Sequence, residues 1–424
     1  MTVVEFLDCT PVKNIISGWT LSPDRIIYVG SADMRNQVER CRTFFERKKR
    51  CPEIITRMIR ENKIDTVYEV LAEIAEEEEE CIFDLTGGDE VALVAMGMVY
   101  ERYRFQKKIE MHRFEITSGR ISDVDNDGEL PKKENEPQIT VEDTIILHGG
   151  TISAYFEESA GGSGKRGAIE NTPEFLDDVQ KLWAICRKNP TAWNRAISDL
   201  KELESRPFCE KRGFEVKISL IMSERDRWAE AKRRSVERLL SMLAGAGLVH
   251  NYHAGKEYIQ YCYKNASVRH CLDKAGNILE LKVLTSARAA REKDGSPYYN
   301  DALSGVSIDW DGKEDLPGGT VNEIDVVLMR GFVPIFISCK NGEVDDDELY
   351  KLNTVALRFG GDYARKVLVA SEIRKSGSGM EYFMQRASDM GIVVIDGAAH
   401  LSEEEFERKL RSAAGGRQKN HASF

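Results

Sequence analysis

The sequence lacks an apolar run long enough to span a bilayer, and its first residues do not resemble a secretory signal. A soluble, cytoplasmic protein with no membrane partner is expected. It also lacks any C-x-x-C pair, and its nine cysteines follow no regular spacing. That excludes a disulfide framework and leaves reduced thiols in ordinary core positions. Basic charge is short as well: 60 Lys+Arg stand against 71 Asp+Glu, a net charge of −11. The deficit is uneven, since residues 1 to 150 hold 20 against 30 and the remainder 40 against 41. A basic stripe that grips nucleic acid whatever its sequence is therefore not expected. The glycine-rich stretch SAGGSGKRGA (159 to 168) lacks the P-loop pattern, with Ser159 in place of the first glycine and Arg166 in place of the Ser/Thr after Lys165.

What is present begins with NEIDVVLMRGFVPIFISCKN, residues 322 to 341, two strand-like apolar runs around Arg330 and Gly331. Pairing about the Gly331 turn brings Asp325 and Lys340 almost opposite each other. A carboxylate and an ammonium at one end of a buried sheet suit phosphodiester hydrolysis, where the carboxylate holds a divalent cation. An ordinary cross-strand ion pair on a surface hairpin is the competing reading.

Upstream, NILELKVLTSARAAREK carries a helical apolar stripe with Asn277 as candidate cap and Glu280 in the first turn. Downstream come a charged helix (about 345 to 359), a strand (366 to 370), a helix (about 376 to 389) and a strand (391 to 395). The order αβββαβαβ resembles the PD-(D/E)xK nuclease fold. That resemblance implies Glu280 and Asp325 as metal-side acids for Mg²⁺ or Mn²⁺, the Cys339 carbonyl as a candidate ligand and Lys340 as the catalytic lysine. Ser338 stands where the family usually has an acid, so Glu343 or Glu348 are candidates to replace it, with Glu323 and Asp309 as further ones.

The N-terminal part alternates strand and helix through TVVEFLD, DRIIYVG, EIITRMI and CIFDLTG, a doubly wound α/β pattern whose ligands bind beyond the strand carboxyl ends. Two such ends carry informative loops. In DCTPVKNI, Thr10 and Pro11 open a helix near Lys13 and Asn14; in DLTGGDEVALVAMG, Gly87 and Gly88 allow close backbone approach at a helix start. A Thr86-x-x-Asp89 capping box without any ligand is the alternative. Together the loops resemble the CRISPR-associated Rossmann-fold sensor, CARF, whose dimer binds a cyclic oligoadenylate. The resemblance implies an effector pocket of Thr10, Pro11, Asn14, Ser31, Thr86, Gly87 and Gly88, with Lys13 and Asp89 nearby. Asp89 and Glu90 stand where related sensors often have Thr-Lys.

The expected fold class is α/β: a CARF domain (1 to 150), a linker (151 to 171), a helical, winged-helix-like connector (172 to 275), a PD-(D/E)xK nuclease domain (276 to 412) and a tail (413 to 424). The connector's basic helix carries Arg225, Arg227, Lys232, Arg233, Arg234 and Arg238, read either as a nucleic-acid contact or as a solvated face. Residues 123 to 134 match an EF-hand loop through Asp123, Asp125, Asp127 and Glu134, but flanking helices are missing and an acidic loop is preferred. His250, His253, Cys262, His270 and Cys271 are spaced too irregularly for a zinc site. The functional expectation is a homodimeric, metal-dependent nuclease acting on DNA or RNA and activated by cyclic oligoadenylate, most plausibly the tetramer, in type III CRISPR defence. The alternatives are a CARF transcription regulator with an inactive nuclease fold and a restriction-type endonuclease.

Overall fold

The computed structural model describes residues 1–124, 128–129, 138–155, 172–219, 227–310 and 321–415. The N-terminal part comprises β1 (Thr2–Phe6), α1 (Ile16–Leu21), β2 (Arg25–Gly30), α2 (Arg35–Arg47), β3 (Glu53–Met58), α3 (Ile64–Glu77), β4 (Glu80–Asp84), α4 (Glu90–Tyr103), β5 (Lys108–Glu115), β6 (Arg120–Asp123) and β7 (Gly128–Glu129), followed by α5 (Val141–Leu147) and β8 (Thr151–Ala154). Its sheet runs β3-β2-β1-β4-β5-β6-β7, parallel through β5. β1 is buried along its whole length, as a parallel strand covered on both faces must be. Helix periodicity supplies the covers: α2 buries Val38, Cys41, Phe44 and Phe45 on one side, α3 buries Val67, Leu71, Ile74 and Ala75 on the other.

The connector contains α6 (Pro173–Cys186), α7 (Pro190–Glu204), β9 (Cys209–Arg212), β10 (Glu215–Ser219), α8 (Arg227–Gly245), β11 (Val249–Ala254), β12 (Tyr258–Tyr263) and α9 (Ala266–Cys271). The β11–β12 hairpin turns at the expected place, but β9 and β10 join it in one antiparallel sheet where the sequence reads as mostly helical. The C-terminal part follows as α10 (Asn277–Ala289), β13 (Asp301–Asp309), β14 (Val321–Arg330), β15 (Val333–Lys340), α11 (Asp347–Gly360), β16 (Arg365–Ala370), α12 (Ser378–Asp389), β17 (Ile392–Ile395) and α13 (Glu403–Gly415). The αβββαβαβ order is the one expected.

Residues 151 to 154 correct the domain boundary. They form β8, the edge strand beside β13 in the sheet β17-β16-β15-β14-β13-β8, and are not linker. The N-terminal and C-terminal sheets also share one core, in which Tyr28, Phe44 and Phe45 join Ile145 of α5 and Val327, Phe336 and Phe359. Lys48 pairs with Asp143 at 2.5 Å and Arg47 with Glu142 at 2.8 Å across the same seam. The connector packs on the opposite face of the C-terminal sheet, against Val326, Ile335 and Ile337. Residues 156 to 171, Asp125, Asp127, Glu134 and Arg225 lie outside the described residues, while Asp123 ends β6. α13 continues to Gly415, past the expected start of the tail. No described helix is long and apolar enough to cross a membrane.

His148, at the end of α5, is buried in this seam with Nδ1 beside the Thr144 carbonyl at 2.9 Å and no partner for Nε2 among the described residues. Burial, with Arg358 and Arg40 nearby, pulls its pKa down to about 4. Between pH 6.5 and about 4 the unfolded chain therefore takes up a proton that the folded chain refuses, so this contribution to stability is lost as pH falls. We expect the unfolding free energy to drop by up to about 3 kcal/mol more in the wild type than in His148→Gln between pH 7.5 and 4.5. Denaturant melts of both proteins across that range check it.

Candidate functional site

At the C-terminal sheet, the β14–β15 ladder runs from Arg330↔Val333 to Val326↔Ile337. Gly331, at φ 59°, and Phe332 form a two-residue turn, and that turn sets the register. Continuing it places Ser338 across from Asp325, with Lys340 two residues further along. The expected Asp325–Lys340 opposition is thus off by two positions, although period-two alternation keeps Asp325, Ser338 and Lys340 on one face. The strands part here, and the Asp325 carboxylate replaces a backbone partner by accepting from the Cys339 N–H at 2.6 Å and the Ser338 hydroxyl at 3.2 Å. The Lys340 carbonyl is turned to the β16 side, where it accepts from the Ser371 N–H at 2.9 Å. Alternation then directs the Cys339 N–H and carbonyl toward β14 and Asp325.

A cleft of about 270 Å³ opens on this face, lined by Glu323, Asp325, Ser338, Lys340, Glu348 and Lys351 among others. Lys340 pairs with Glu348 of α11 at 2.7 Å, and Glu348 also meets Lys351 at 3.1 Å. Burial alone would lower the Lys340 pKa, but Glu348 and Asp325 outweigh it and raise it. For Glu348, burial is outweighed by the two lysines and the carboxyl is held below its ordinary range. Glu323 is drawn off by Lys274 at 3.1 Å, Glu343 is exposed and outside the cleft lining, and Asp309 is buried at the end of β13.

Glu280 comes from the first turn of α10, a helix on the opposite face of the sheet, and is buried close enough to feel the charges of Asp325, Glu323 and Lys340. Gly276 precedes that helix, so Asn277 does not cap it and instead donates to the His270 carbonyl at 3.1 Å. Burial, then the charges of Asp325 and Glu323, push the Glu280 pKa up to about 8. Asp325 is raised as well, chiefly by burial. A carboxyl with a raised folded pKa costs stability increasingly above its unfolded value. We expect Glu280→Gln to stabilise the metal-free protein by on the order of 2 kcal/mol at pH 7.5, read as a higher melting temperature.

Two carboxylates whose pKa values are both raised, by burial first and then by neighbouring negative charge, are a pair that a divalent cation would relieve. Among the described residues no three His, Cys, Asp or Glu side chains are grouped to hold a metal. Mg²⁺, however, commonly takes one or two carboxylates and completes its shell with water and substrate phosphate. Glu280, Asp325 and the Cys339 carbonyl fit that requirement.

The second candidate site lies beyond the carboxyl ends of the parallel strands β1 to β4, beside the switch point between β1 and β4. A cleft of about 310 Å³ is lined by Asp8, Ser31, Arg60, Asn62, Gly88 and Asp89 among others. Of the expected residues, only Ser31, Gly88 and Asp89 line it. Gly88 adopts φ 90°, and a Cβ on Gly87 would stand 2.8 Å from the Phe6 carbonyl, so both glycines are required by the close approach of this loop to β1. Asp89 caps α4 by accepting from the Ala92 N–H at 2.9 Å. Thr86 is not the cap; it accepts from the Phe114 N–H at 2.9 Å and donates to buried Asp84.

Thr10, Pro11 and Asn14 are buried in a 3₁₀ turn, where the Asn14 amide is bonded to both the N–H and the carbonyl of Asp8. Lys13 pairs with Asp8 at 2.9 Å. Burial would raise the Asp8 carboxyl, but Lys13 and the Thr10 N–H hold it below the usual range. The sequence reading missed Asp8, Arg60 and Asn62. Asp8 had a signal, as the last residue before the Thr-Pro loop, whereas Arg60 and Asn62 sit after β3 in a loop without any motif.

No family model matches the chain, and no curated relative does. Solved structures do. Protein VC1899 from Vibrio cholerae aligns with a TM-score of 0.72 at 18% identity, over 98% of this chain and 99% of that one. Can2 from Sulfobacillus thermosulfidooxidans, in complex with cyclic tetra-adenylate, aligns with a TM-score of 0.62 at 16% identity, over 98% and 97%. The chain has their fold. A type III CRISPR defence DNA nuclease activated by cyclic oligoadenylate aligns at 0.50 and 14% identity, over 89% of this chain and 46% of that longer one. The mixed α/β class expected from the sequence, a Rossmann-like sheet, a connector and an αβββαβαβ part in that order, is the class found.

Proposed function

We propose that the protein is a nuclease of type III CRISPR defence, gated by a cyclic oligoadenylate that binds its N-terminal cleft. The observation that carries this reading is that one helix reaches both candidate sites. At its start, α11 presents Glu348 to Lys340; at its end, Gly361 packs near Thr10 and His148, and the neighbouring Tyr363 lies in the field of Lys13 and Asp8. Neither a constitutive endonuclease nor a regulator with a dead site needs such a strut.

In the effector cleft, Asp8 and Glu61 would accept from ribose hydroxyls and adenine amino groups, while Arg60 and the amino end of α4 would meet phosphate. Cyclic tetra-adenylate, the ligand of Can2, is the first ligand to test. A homodimer is supported by Leu93, Val94 and Met98, which leave an apolar strip exposed on α4 beside this cleft.

At the nuclease site, Glu280, Asp325 and the Cys339 carbonyl would hold Mg²⁺ or Mn²⁺, which would acidify a bound water and offset charge on the phosphate. Ser338 and the Cys339 N–H fix the Asp325 carboxylate in place. Lys340 keeps its proton at neutral pH, so it orients the attacking water and stabilises developing charge and does not act as a base. The test is incubation with Mn²⁺ and either supercoiled plasmid or single-stranded RNA, with and without cyclic tetra-adenylate. Cutting only with the effector is expected; sequence-specific duplex binding without cutting would support the regulator reading, and cutting regardless of the effector the restriction-type one.

A further inference from the structure

Between α7 and α8, on the connector, lies a groove of about 520 Å³, walled in part by Arg234 and Arg238 of the basic helix and used by neither candidate site above. Its floor is apolar, built from Ile185, Ala192, Ala196 and Leu239. Its walls carry Lys188 and Arg195 on one side and Arg234 and Arg238, one helical turn apart, on the other. Not one of the residues lining it is acidic, in a chain whose net charge is −11. Arg234 pairs with exposed Glu230 at 2.5 Å, and exposed Arg195 lies 3.9 Å from Asp199. The exposed Arg234–Glu230 pair is of the weak kind that exchanges readily for a phosphate, and at 3.9 Å from buried Asp199 the Arg195 guanidinium is not hydrogen-bonded to it. Two further basic side chains of α8, Lys232 and Arg233, are occupied by Glu202 and Glu237, away from the groove lining. The groove wall is tied to the nuclease strand: Asn194, next to Arg195, accepts from the side-chain amide of Asn341 at 2.8 Å, and Asn341 follows Lys340.

We propose that this groove holds a single strand of the nucleic-acid substrate, phosphates on the four cations and bases over the apolar floor. Single-strand binders combine a basic groove with side chains on which bases stack, usually aromatic ones, and Trp193 joins the apolar lining here, whereas a duplex keeps its base faces stacked inside. The inference rests on the nuclease reading for the identity of the polyanion.

The test compares full-length wild type with the variant Lys188→Gln, Arg195→Gln, Arg234→Gln, Arg238→Gln, all four side chains being exposed. Binding of a fluorescein-labelled twenty-residue oligo-dT is followed by anisotropy without divalent cation, across a salt series. The expected result is at least ten-fold weaker binding and a salt slope shallower by about 3, roughly 0.7 per lost phosphate contact. Equal affinity and equal slope in the two proteins would overturn the proposal. So would unchanged strand binding with a dimer falling to monomer in sedimentation, which would assign the groove to the acidic N-terminal part of a second copy. Lys340→Ala serves as the separate control: the groove is upheld, and only the nuclease reading fails, where strand binding depends on the four cations while neither wild type nor Lys340→Ala cuts.

Discussion

Replacing Lys340 with alanine is expected to lower effector-stimulated cleavage by roughly 10²–10³-fold, the usual cost of removing one preorganised donor from developing negative charge. The substitution leaves Glu280 and Asp325 in place, so Mn²⁺ still raises the melting temperature. Asp325→Ala is expected to lose both effects, since its carboxylate is one of two on the metal side and also holds the Cys339 N–H at 2.6 Å. Single-turnover rates with saturating effector, read beside thermal shift with Mn²⁺, separate the two variants. Lys340→Arg adds a finer check: a residue that acts by charge alone tolerates the guanidinium in part, whereas one that must lose a proton does not. Unimpaired cleavage by Lys340→Ala would place the chemistry elsewhere in the chain.

The order of elements around this site was legible because each has its own period. Parallel strands read as unbroken apolar runs and the helices between them as stripes, so both the Rossmann-like part and the αβββαβαβ part could be written from local pattern. Register was not legible. An Asp325–Lys340 pair would centre the tip between Phe332 and Val333, whereas the strands turn at Gly331 and Phe332, and that change of two residues leaves the face of every side chain intact while moving Lys340 away from Asp325. β8 was missed because TISA is four residues long and its partner, β13, lies about 150 residues on. Nor does any local pattern reveal that Phe44 and Phe359 end up in one core. In the effector loop, polar residues were taken to point at a ligand, yet Asn14 turns inward because the buried N–H and carbonyl of Asp8 need partners. Loop composition names the residues that can bind; which of them are consumed by the backbone is decided only when the loop closes.

That same loop leads to the second large effect, a loss of effector dependence in Glu348→Gln. α11 spans fourteen residues, about 21 Å of helix, and a packed helix of that length transmits a displacement at one end to the other. At its far end, a Cβ added to Gly361, which holds φ 59°, would stand 3.9 Å from the Thr10 methyl, and Tyr363 lies in the field of the Lys13–Asp8 pair, whose Asp8 lines the effector cleft. At its near end, the 2.7 Å pair with Glu348 engages the Lys340 ammonium that a substrate phosphate would need. An effector can stimulate only by binding better to the arrangement in which that pair is broken. Coupling of about 1–3 kcal/mol corresponds to roughly 5–150-fold stimulation. Glu348→Gln removes the charge of the lock, so basal cleavage is expected to rise about ten-fold or more while the stimulated rate stays near that of wild type. Tyr363→Phe in the wild-type background should reduce stimulation without weakening effector binding, and in the Glu348→Gln background should change nothing further, the signature of two residues on one route. The opposite outcome is equally informative. Glu348 is also the candidate to replace the acid that Ser338 does not supply; if Glu348→Gln abolishes cleavage and the Mn²⁺-induced thermal shift together, its carboxylate belongs to the metal and the lysine pair is only where it rests without one.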